Sequence, residues 1–416
     1  MSPTRPHWGR AGTAGPTCED STFVRPADDN VGVILPRRIT DIQPPVIPIL
    51  GEWIRSTPGT ISLGQGIVSY GPPPAVLDAV RNFGGALADH RYGPVEGQPD
   101  LLAILRDKLT RENGLDLTGR RIVVTSGGNM AFMNAVLAIT DPGDDVILPV
   151  PYYFNHEMAL TMIGCRTVGV PTDSRYQVDV DALAAAITSR TRAIVTISPN
   201  NPTGAVYPAD TLRAVNRLCA ERGLIHITDE VYEYFTYDQA HYSPGSDPAS
   251  RAHTVSLFSL SKAYGFAGWR IGYMVVPDEL FDAVNKIQDT NLICPPLVCQ
   301  AAAAAALQVG RPYCAPHVAA LDVVRREVHA ALAELGDLIE APATDGAFYV
   351  LLRVRTSHDA FTLTRRLIER HKVAVVPGSA FGVTDRCALR VSFGALDRDT
   401  VAAGVGRLIA GLRAEA

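Results

Sequence analysis

From Ile122 to Phe258 the chain alternates short apolar runs with helical patterns, and this alternation limits the fold more than any other feature. Ile122–Thr125, Asp144–Leu148, Arg166–Val170, Ala193–Ile197, Leu224–Thr228 and Thr254–Phe258 read as strands. Met130–Ile139, Leu183–Ile187 and Leu212–Ala220, lying between them, carry helical spacing. Strands joined through helices of that length need crossover connections, which build a doubly wound α/β sheet. Ligands of such sheets sit at the carboxyl ends of the strands. The chemically unusual residues fall at those ends. Ser126-Gly127-Gly128-Asn129 follows one strand, Ser198-Pro199-Asn200-Asn201-Pro202-Thr203-Gly204 another, and Asp229-Glu230 and Ser259 close two more.

At 416 residues the chain exceeds the size at which one hydrophobic core keeps growing, so two lobes are expected. Residues 1–38, rich in Pro, Gly, Thr and Asp and without periodicity, read as a disordered extension. Residues 39–75 form an arm that joins the small lobe, residues 76–310 the large lobe, and residues 311–416 a smaller α+β lobe. A net charge of −5 with scattered basic residues offers no footprint for nucleic acid, and no apolar run reaches bilayer length. The seven cysteines include no Cys-x-x-Cys pair, so neither a zinc ribbon nor a disulfide framework is indicated. With no apolar signal core at the N-terminus, a reducing cytoplasm is the expected setting.

The residues with chemical potential each have a plainer reading. Lys262 lies in Ser259–Arg270 among small and hydroxyl side chains. A lysine forms imines only when partly desolvated and held in place, and most lysines near serines are solvated instead. Ser259, Ser261 and Arg270 can ring an anion. Gly128 and Asn129 begin a helix whose N-terminus favours a phosphate, or they simply make a tight turn. Asp229 ends a buried strand, where a carboxylate is costly without a cation or several donors. It is either the N-cap of a following helix or the counter-ion of a protonated heterocycle, with Tyr232 three residues on along the same helical face. Asn201 is loop punctuation or a donor to a ligand oxygen. Arg390, in an alternating strand, is a solvated sheet residue or a bidentate carboxylate grip. Tyr152 and Tyr153 are ordinary aromatics or a platform for a flat ring.

Taken jointly, Asn201-Pro202-Thr203-Gly204, Asp229-Glu230-Val231-Tyr232, Ser259-x-x-Lys262 with Arg270, and Arg390 resemble the class I/II aminotransferases of fold type I, which use pyridoxal 5'-phosphate. The likeness runs from about Ile39 onward. It implies a mostly parallel, seven-stranded sheet in the large lobe. It also implies that Lys262 is the Schiff-base lysine and proton shuttle, that Asp229 pairs with the ring nitrogen, and that Tyr232 and Asn201 bond the ring oxygen. Gly128, Asn129, Ser259 and Arg270 match the phosphate cup, Tyr153 the ring-stacking position, and His156 the partner behind Asp229. Gly66 and Arg390, with Tyr153 and Asn201, match the substrate side. Tyr92 resembles the tyrosine that reaches the neighbouring subunit's phosphate, which implies a homodimer.

Relatives specific for aspartate supply a side-chain arginine before a Pro-Pro stretch, yet Ile287–Gln300 holds none; others use a lysine where this chain has Asn129. Tyr152-Tyr153-Phe154-Asn155, Tyr232-Glu233-Tyr234-Phe235, Lys286-Ile287-Gln288-Asp289 and Arg390-Val391-Ser392-Phe393-Gly394 resemble a subgroup that uses methionine and aromatic amino acids. The resemblance therefore implies ping-pong transamination from an apolar or aromatic donor to a 2-oxo acid. The alternatives are an aspartate-type enzyme, or a β-lyase, decarboxylase or cyclase on the same cofactor. A ligand-sensing regulator would need a basic winged-helix domain ahead of the fold, and residues 1–38 show no helical periodicity.

Overall fold

The computed structural model describes residues 35–416; the extension expected over residues 1–38 lies, up to residue 34, outside them. Arg37 and Arg38 begin a one-turn helix, α1 (Arg37–Thr40), followed by α2 (Val46–Ser56), β1 (Ile61–Ser62), α3 (Pro74–Arg81) and α4 (Pro99–Asn113). Then come β2 (Arg120–Thr125), α5 (Gly128–Ile139), β3 (Asp145–Val150), α6 (Phe154–Met162), β4 (Arg166–Pro171) and α7 (Val180–Ala186). The alternation continues through β5 (Thr191–Ile197), α8 (Ala209–Arg222), β6 (Ile225–Asp229), β7 (Thr254–Ser259) and β8 (Gly272–Pro277). After α9 (Asp278–Asn291), α10 (Leu297–Val309) and α11 (Arg311–Leu332) the pattern changes to β9 (Ile339–Glu340), β10 (Tyr349–Val354) and α12 (Ala360–His371). The chain ends with β11 (Val373–Ala374), β12 (Val376–Pro377), β13 (Ala388–Ser392) and α13 (Arg398–Glu415).

Seven strands form one sheet in the order β2-β8-β7-β6-β5-β3-β4. All neighbours run parallel except β8, which is antiparallel to both β2 and β7. The crossovers expected from the sequence are present, and β8 is the strand the sequence pattern did not reveal. Alternation along each strand feeds two apolar layers. Val123, Val146, Leu148, Ile227 and Leu257 pack with Phe132 and Val136 of α5 on one face. Ile122, Val124, Phe258 and Val275 pack with Leu101 and Leu105 of α4 and Ala302 and Ala306 of α10 on the other. A buried strand on both faces needs this continuous apolar sequence.

The later strands make a four-stranded antiparallel sheet, β12-β13-β10-β9, while β1 pairs parallel with β11. Its helices start where aspartates cap them. Asp359 accepts from the backbone N–H of Phe361 and Thr362 before α12, and Asp397 from that of Thr400 before α13. From the other end of the chain, α2 packs Val46 and Leu50 against Ile368, Ala374, Val376 and Phe381. None of the described helices is long and apolar enough to cross a membrane.

One local expectation fails. Asp229 is not the N-cap of a helix: the chain after β6 makes turns through Glu230–Tyr234. The Asp229 carboxylate does cap that turn, accepting from the Val231 N–H at 3.1 Å. A three-residue spacing brings Asp229 and Tyr232 together through a turn as readily as through a helical face.

Candidate active site

A cavity of about 360 Å³ opens at the carboxyl ends of β5, β6 and β7, closed from the other side by β10 and β13. Gly128 and Asn129 reach it from the start of α5, Asn201 from the loop after β5, and Asp229 and Tyr232 from the turn after β6. Ser259 and Lys262 come from the end of β7, with Arg270 after them; Tyr153 precedes α6, Gly66 follows β1 and Arg390 lies on β13. These eleven expected positions share one cavity. His156 stands behind Asp229, and Tyr152 faces elsewhere, against Gly382. Tyr92 is 81% exposed and does not line this cavity.

One end is built for an anion. Arg270 donates to the carbonyls of Ala267 at 3.0 Å and Ser126 at 3.4 Å, which holds its guanidinium against the Ser126-Gly127-Gly128 turn. Gly127 has φ +86°, a conformation that favours glycine, and a Cβ there would push that guanidinium out of its place. The hydroxyl of Ser259 lies 2.9 Å from that of Ser261. Together with the free N–H groups at the start of α5, these donors suit a phosphate.

At the centre, Lys262 Nζ donates to the Gly66 carbonyl at 2.6 Å. Burial, then the cations of Arg390 and Arg270, push the Lys262 amine down to about 8, with Asp229 pulling the other way. An amine so placed is partly neutral near physiological pH and can attack a carbonyl. Asp229, 8% exposed, meets His156 Nε2 at 3.3 Å. The His156 ring is itself fixed by stacking on Phe132, centroids 3.9 Å apart. The sheet sets this arrangement: β6 and β7 are hydrogen-bonded neighbours with Asp229 opposite Leu257.

The third group centres on a buried guanidinium, whose chemistry suits a carboxylate. Arg390, 2% exposed, donates to Asn201 Oδ1 at 2.9 Å and to the Gly64 carbonyl at 2.7 Å. Its Nε has no protein partner among the described residues. Because a guanidinium has no acceptor, Asn201 must turn its oxygen toward Arg390, which leaves its amide nitrogen for the Tyr232 hydroxyl at 3.4 Å. Burial holds the Tyr232 phenol well above its ordinary range, so it remains a neutral donor. Burial likewise pushes Tyr153 up to about 12.

Several lining residues escaped the sequence reading: Ile47, Gln65, Ile67, Phe154 and Tyr349. Phe154 adjoins an expected aromatic, and Tyr349 sits in a strand whose alternation was legible. Nothing in the local sequence singles out Ile47 or Ile67; they arrive through tertiary packing.

The donor set fits pyridoxal 5'-phosphate. It combines an anion cup, a carboxylate backed by an imidazole for a protonated ring nitrogen, amide and phenol donors for a ring oxygen, and a partly neutral amine. The family model for aminotransferase class I and II matches residues 58–408. An aromatic aminotransferase of Arabidopsis thaliana is 34% identical over 390 residues, 91% of this chain and 96% of the relative. An aspartate/prephenate aminotransferase of Thermus thermophilus is 35% identical over 357 residues, 83% of this chain and 91% of the relative. A solved Thermus thermophilus aspartate aminotransferase superposes with a TM-score of 0.83 at 33% identity, covering 91% of this chain and 99% of that one. The chain belongs to the class I and II aminotransferases and is a pyridoxal phosphate-dependent transaminase.

Proposed function

We propose that this transaminase takes the amino group from an apolar L-amino acid, methionine or an aromatic one, and passes it to a 2-oxo acid in two half-reactions of a ping-pong cycle. The observation that carries this reading is the charge inventory of the cavity. The cations among its described lining residues are Lys262, Arg270 and Arg390. Arg270 serves the phosphate end, Lys262 is the reacting amine and Arg390 takes the α-carboxylate. A second substrate carboxylate would meet Ile47, Ile67 and Phe154 instead, where an unpaired charge is costly. The aromatic aminotransferase relative supports this choice. The relatives named for aspartate favour the second reading, a dicarboxylate donor, which would need a cation that Asn129 does not supply.

Bound pyridoxal 5'-phosphate supplies an electron sink for negative charge at the substrate Cα. In the proposed roles, Gly128, Asn129, Ser259, Ser261 and Arg270 hold its phosphate and Tyr153 covers its ring. Asp229, kept in place by His156 and the Val231 N–H, holds a proton on the ring nitrogen. Tyr232 and Asn201 donate to the ring oxygen. Arg390, with Gly66 beside it, fixes the substrate carboxylate and thereby the direction of the Cα–H bond. Lys262 Nζ takes up the proton from the substrate Cα.

The proposal includes a homodimer in which Tyr92 reaches the phosphate end of the neighbouring copy's site. Its support is the exposure of Tyr92 beside a hollow lined by Leu292, Pro295, Pro296 and Leu297. We also assign residues 39–75 and 311–416 to one lobe and 76–310 to the other, and set the enzyme in the cytoplasm, where the thiols of the six described cysteines stay reduced. Steady-state assays over a panel of donors test the specificity. Phenylalanine, tyrosine or methionine should exceed aspartate in kcat/KM, and the reverse order would refute the reading.

A further inference from the structure

Tyr349 was not among the expected site residues, yet its side chain is fully buried against three of them. The β10–β13 register explains how. Tyr349 pairs with Ser392 and Leu351 with Arg390, so Tyr349 and Arg390 lie diagonally on one face of the sheet. The Arg390 guanidinium carbon is 4.6 Å from the Tyr349 ring centroid. Across the cavity, a Cβ at Gly66 would lie 2.7 Å from the Tyr349 hydroxyl, so the absence of a side chain there makes room for it. The hydroxyls of Tyr349 and Tyr232 are 2.7 Å apart.

The direction of that last hydrogen bond follows from counting donors and acceptors. A phenol has one proton to donate and two lone pairs. Tyr232 already accepts from the Asn201 amide, whose orientation Arg390 dictates. Among the described residues the Tyr232 oxygen is the sole hydrogen-bond partner of the Tyr349 hydroxyl. A buried O–H left without an acceptor is costly, so Tyr349 is the donor. Tyr232 then accepts twice, and its own proton is left facing the cavity. The Arg390 cation over the Tyr349 ring makes that phenol a stronger donor.

We propose that Tyr349 is a positioning residue for the transamination site: it donates to the Tyr232 hydroxyl and so reserves the Tyr232 proton for the cofactor's ring oxygen. The proposal rests on the role given above to Tyr232. Donation from Tyr232 favours the ionised ring oxygen, which lowers the pH at which the bound chromophore loses its proton. Chained hydrogen bonds strengthen one another, so removing the Tyr349 hydroxyl weakens the Tyr232 bond without breaking it.

The test is a pH titration of the visible absorbance of full-length protein loaded with pyridoxal 5'-phosphate, without substrate. In Tyr349→Phe the midpoint should rise by roughly 0.1–0.7 pH unit, the fraction of one charge-assisted hydrogen bond that cooperativity supplies, and kcat/KM should fall about 1.3- to fivefold. Tyr232→Phe should shift the midpoint in the same direction, and adding Tyr349→Phe to it should then shift it no further. Gly66→Ala, which crowds the Tyr349 hydroxyl without removing it, should raise the midpoint as well and covers the case in which Tyr349→Phe fails to fold. An unmoved midpoint in the single variants, or a full second shift in the double variant, would overturn the proposal. If the unmodified protein gains no visible band with the cofactor, the site assignment itself has failed, a different result from either of these.

Discussion

Replacing Arg390 by methionine tests its proposed role as the carboxylate anchor. The side chain is 2% exposed, two of its nitrogens are committed to Asn201 and Gly64, and its Nε is free of protein partners among the described residues. A substrate carboxylate meeting this buried cation would gain charge-assisted hydrogen bonds of about 1.5–3 kcal/mol each. Two such bonds amount to roughly 3–6 kcal/mol, so kcat/KM for phenylalanine should drop by about 10² to 10⁴. Arg390 is also, after burial, the leading cause of the low Lys262 value, so its loss moves the amine upward. The comparison is therefore made at the alkaline plateau of each pH profile. The control is 2-phenylethylamine, the same side chain without a carboxylate. Its slow reaction should change less than about threefold, since no carboxylate bond is lost. A loss below tenfold with phenylalanine, or an equal loss with the amine, would refute the assignment of Arg390.

Other consequences can be measured directly. Capture of pyridoxal 5'-phosphate by apoprotein should accelerate as pH rises and level off above about 8, the Lys262 value, whereas a plateau only above 10 would contradict it. Because the unfolded chain keeps its Lys262 proton up to 10.5, it binds more protons than the folded one between about 8 and 10.5. Apoprotein stability relative to Lys262→Met should therefore rise across that window by about 3 kcal/mol, as followed by urea unfolding. Lys108→Met removes one partner of a buried pair, Lys108 Nζ to Glu233 Oε1 at 2.5 Å with side chains 6% and 11% exposed. It should cost about 3–5 kcal/mol in the same experiment, and a cost under about 1 kcal/mol would show that the charge left on Glu233 is readily solvated. Asn129→Lys adds a cation at the cavity wall and should raise the ratio of aspartate to phenylalanine kcat/KM by about tenfold or more. An unchanged ratio would show that this wall does not set the choice.

Much of the site was legible in the chain because strand ends bring it together. Asn201, Asp229 and Ser259 each follow a short apolar run, and a parallel sheet collects such positions along one rim without further information. Local spacing was ambiguous where two structures satisfy it. Asp229 and Tyr232 share a turn, not the helical face that their separation also allowed. Strand β8 went unread because it follows the Lys262 segment directly, with no helix to mark a new crossover. Tyr349, Ile47 and Ile67 were out of reach for a different reason. Tyr349 meets Tyr232 only because β10 faces the turn after β6 across the cavity, and Ile47 depends on where α2 settles against β12 and α12. Such contacts join residues more than a hundred positions apart, and one sequence holds no local trace of them.

The adjacency of β6 and β7 bears on how this enzyme can diversify. Asp229 ends β6 and Lys262 lies three residues past the end of its neighbour β7, so the pairing of those two strands brings both residues to one rim of the sheet. Ile47, Ile67 and Phe154 belong to other segments altogether. Lineages of this scaffold can therefore retailor the slot for new amino acids while the reacting pair stays at that rim.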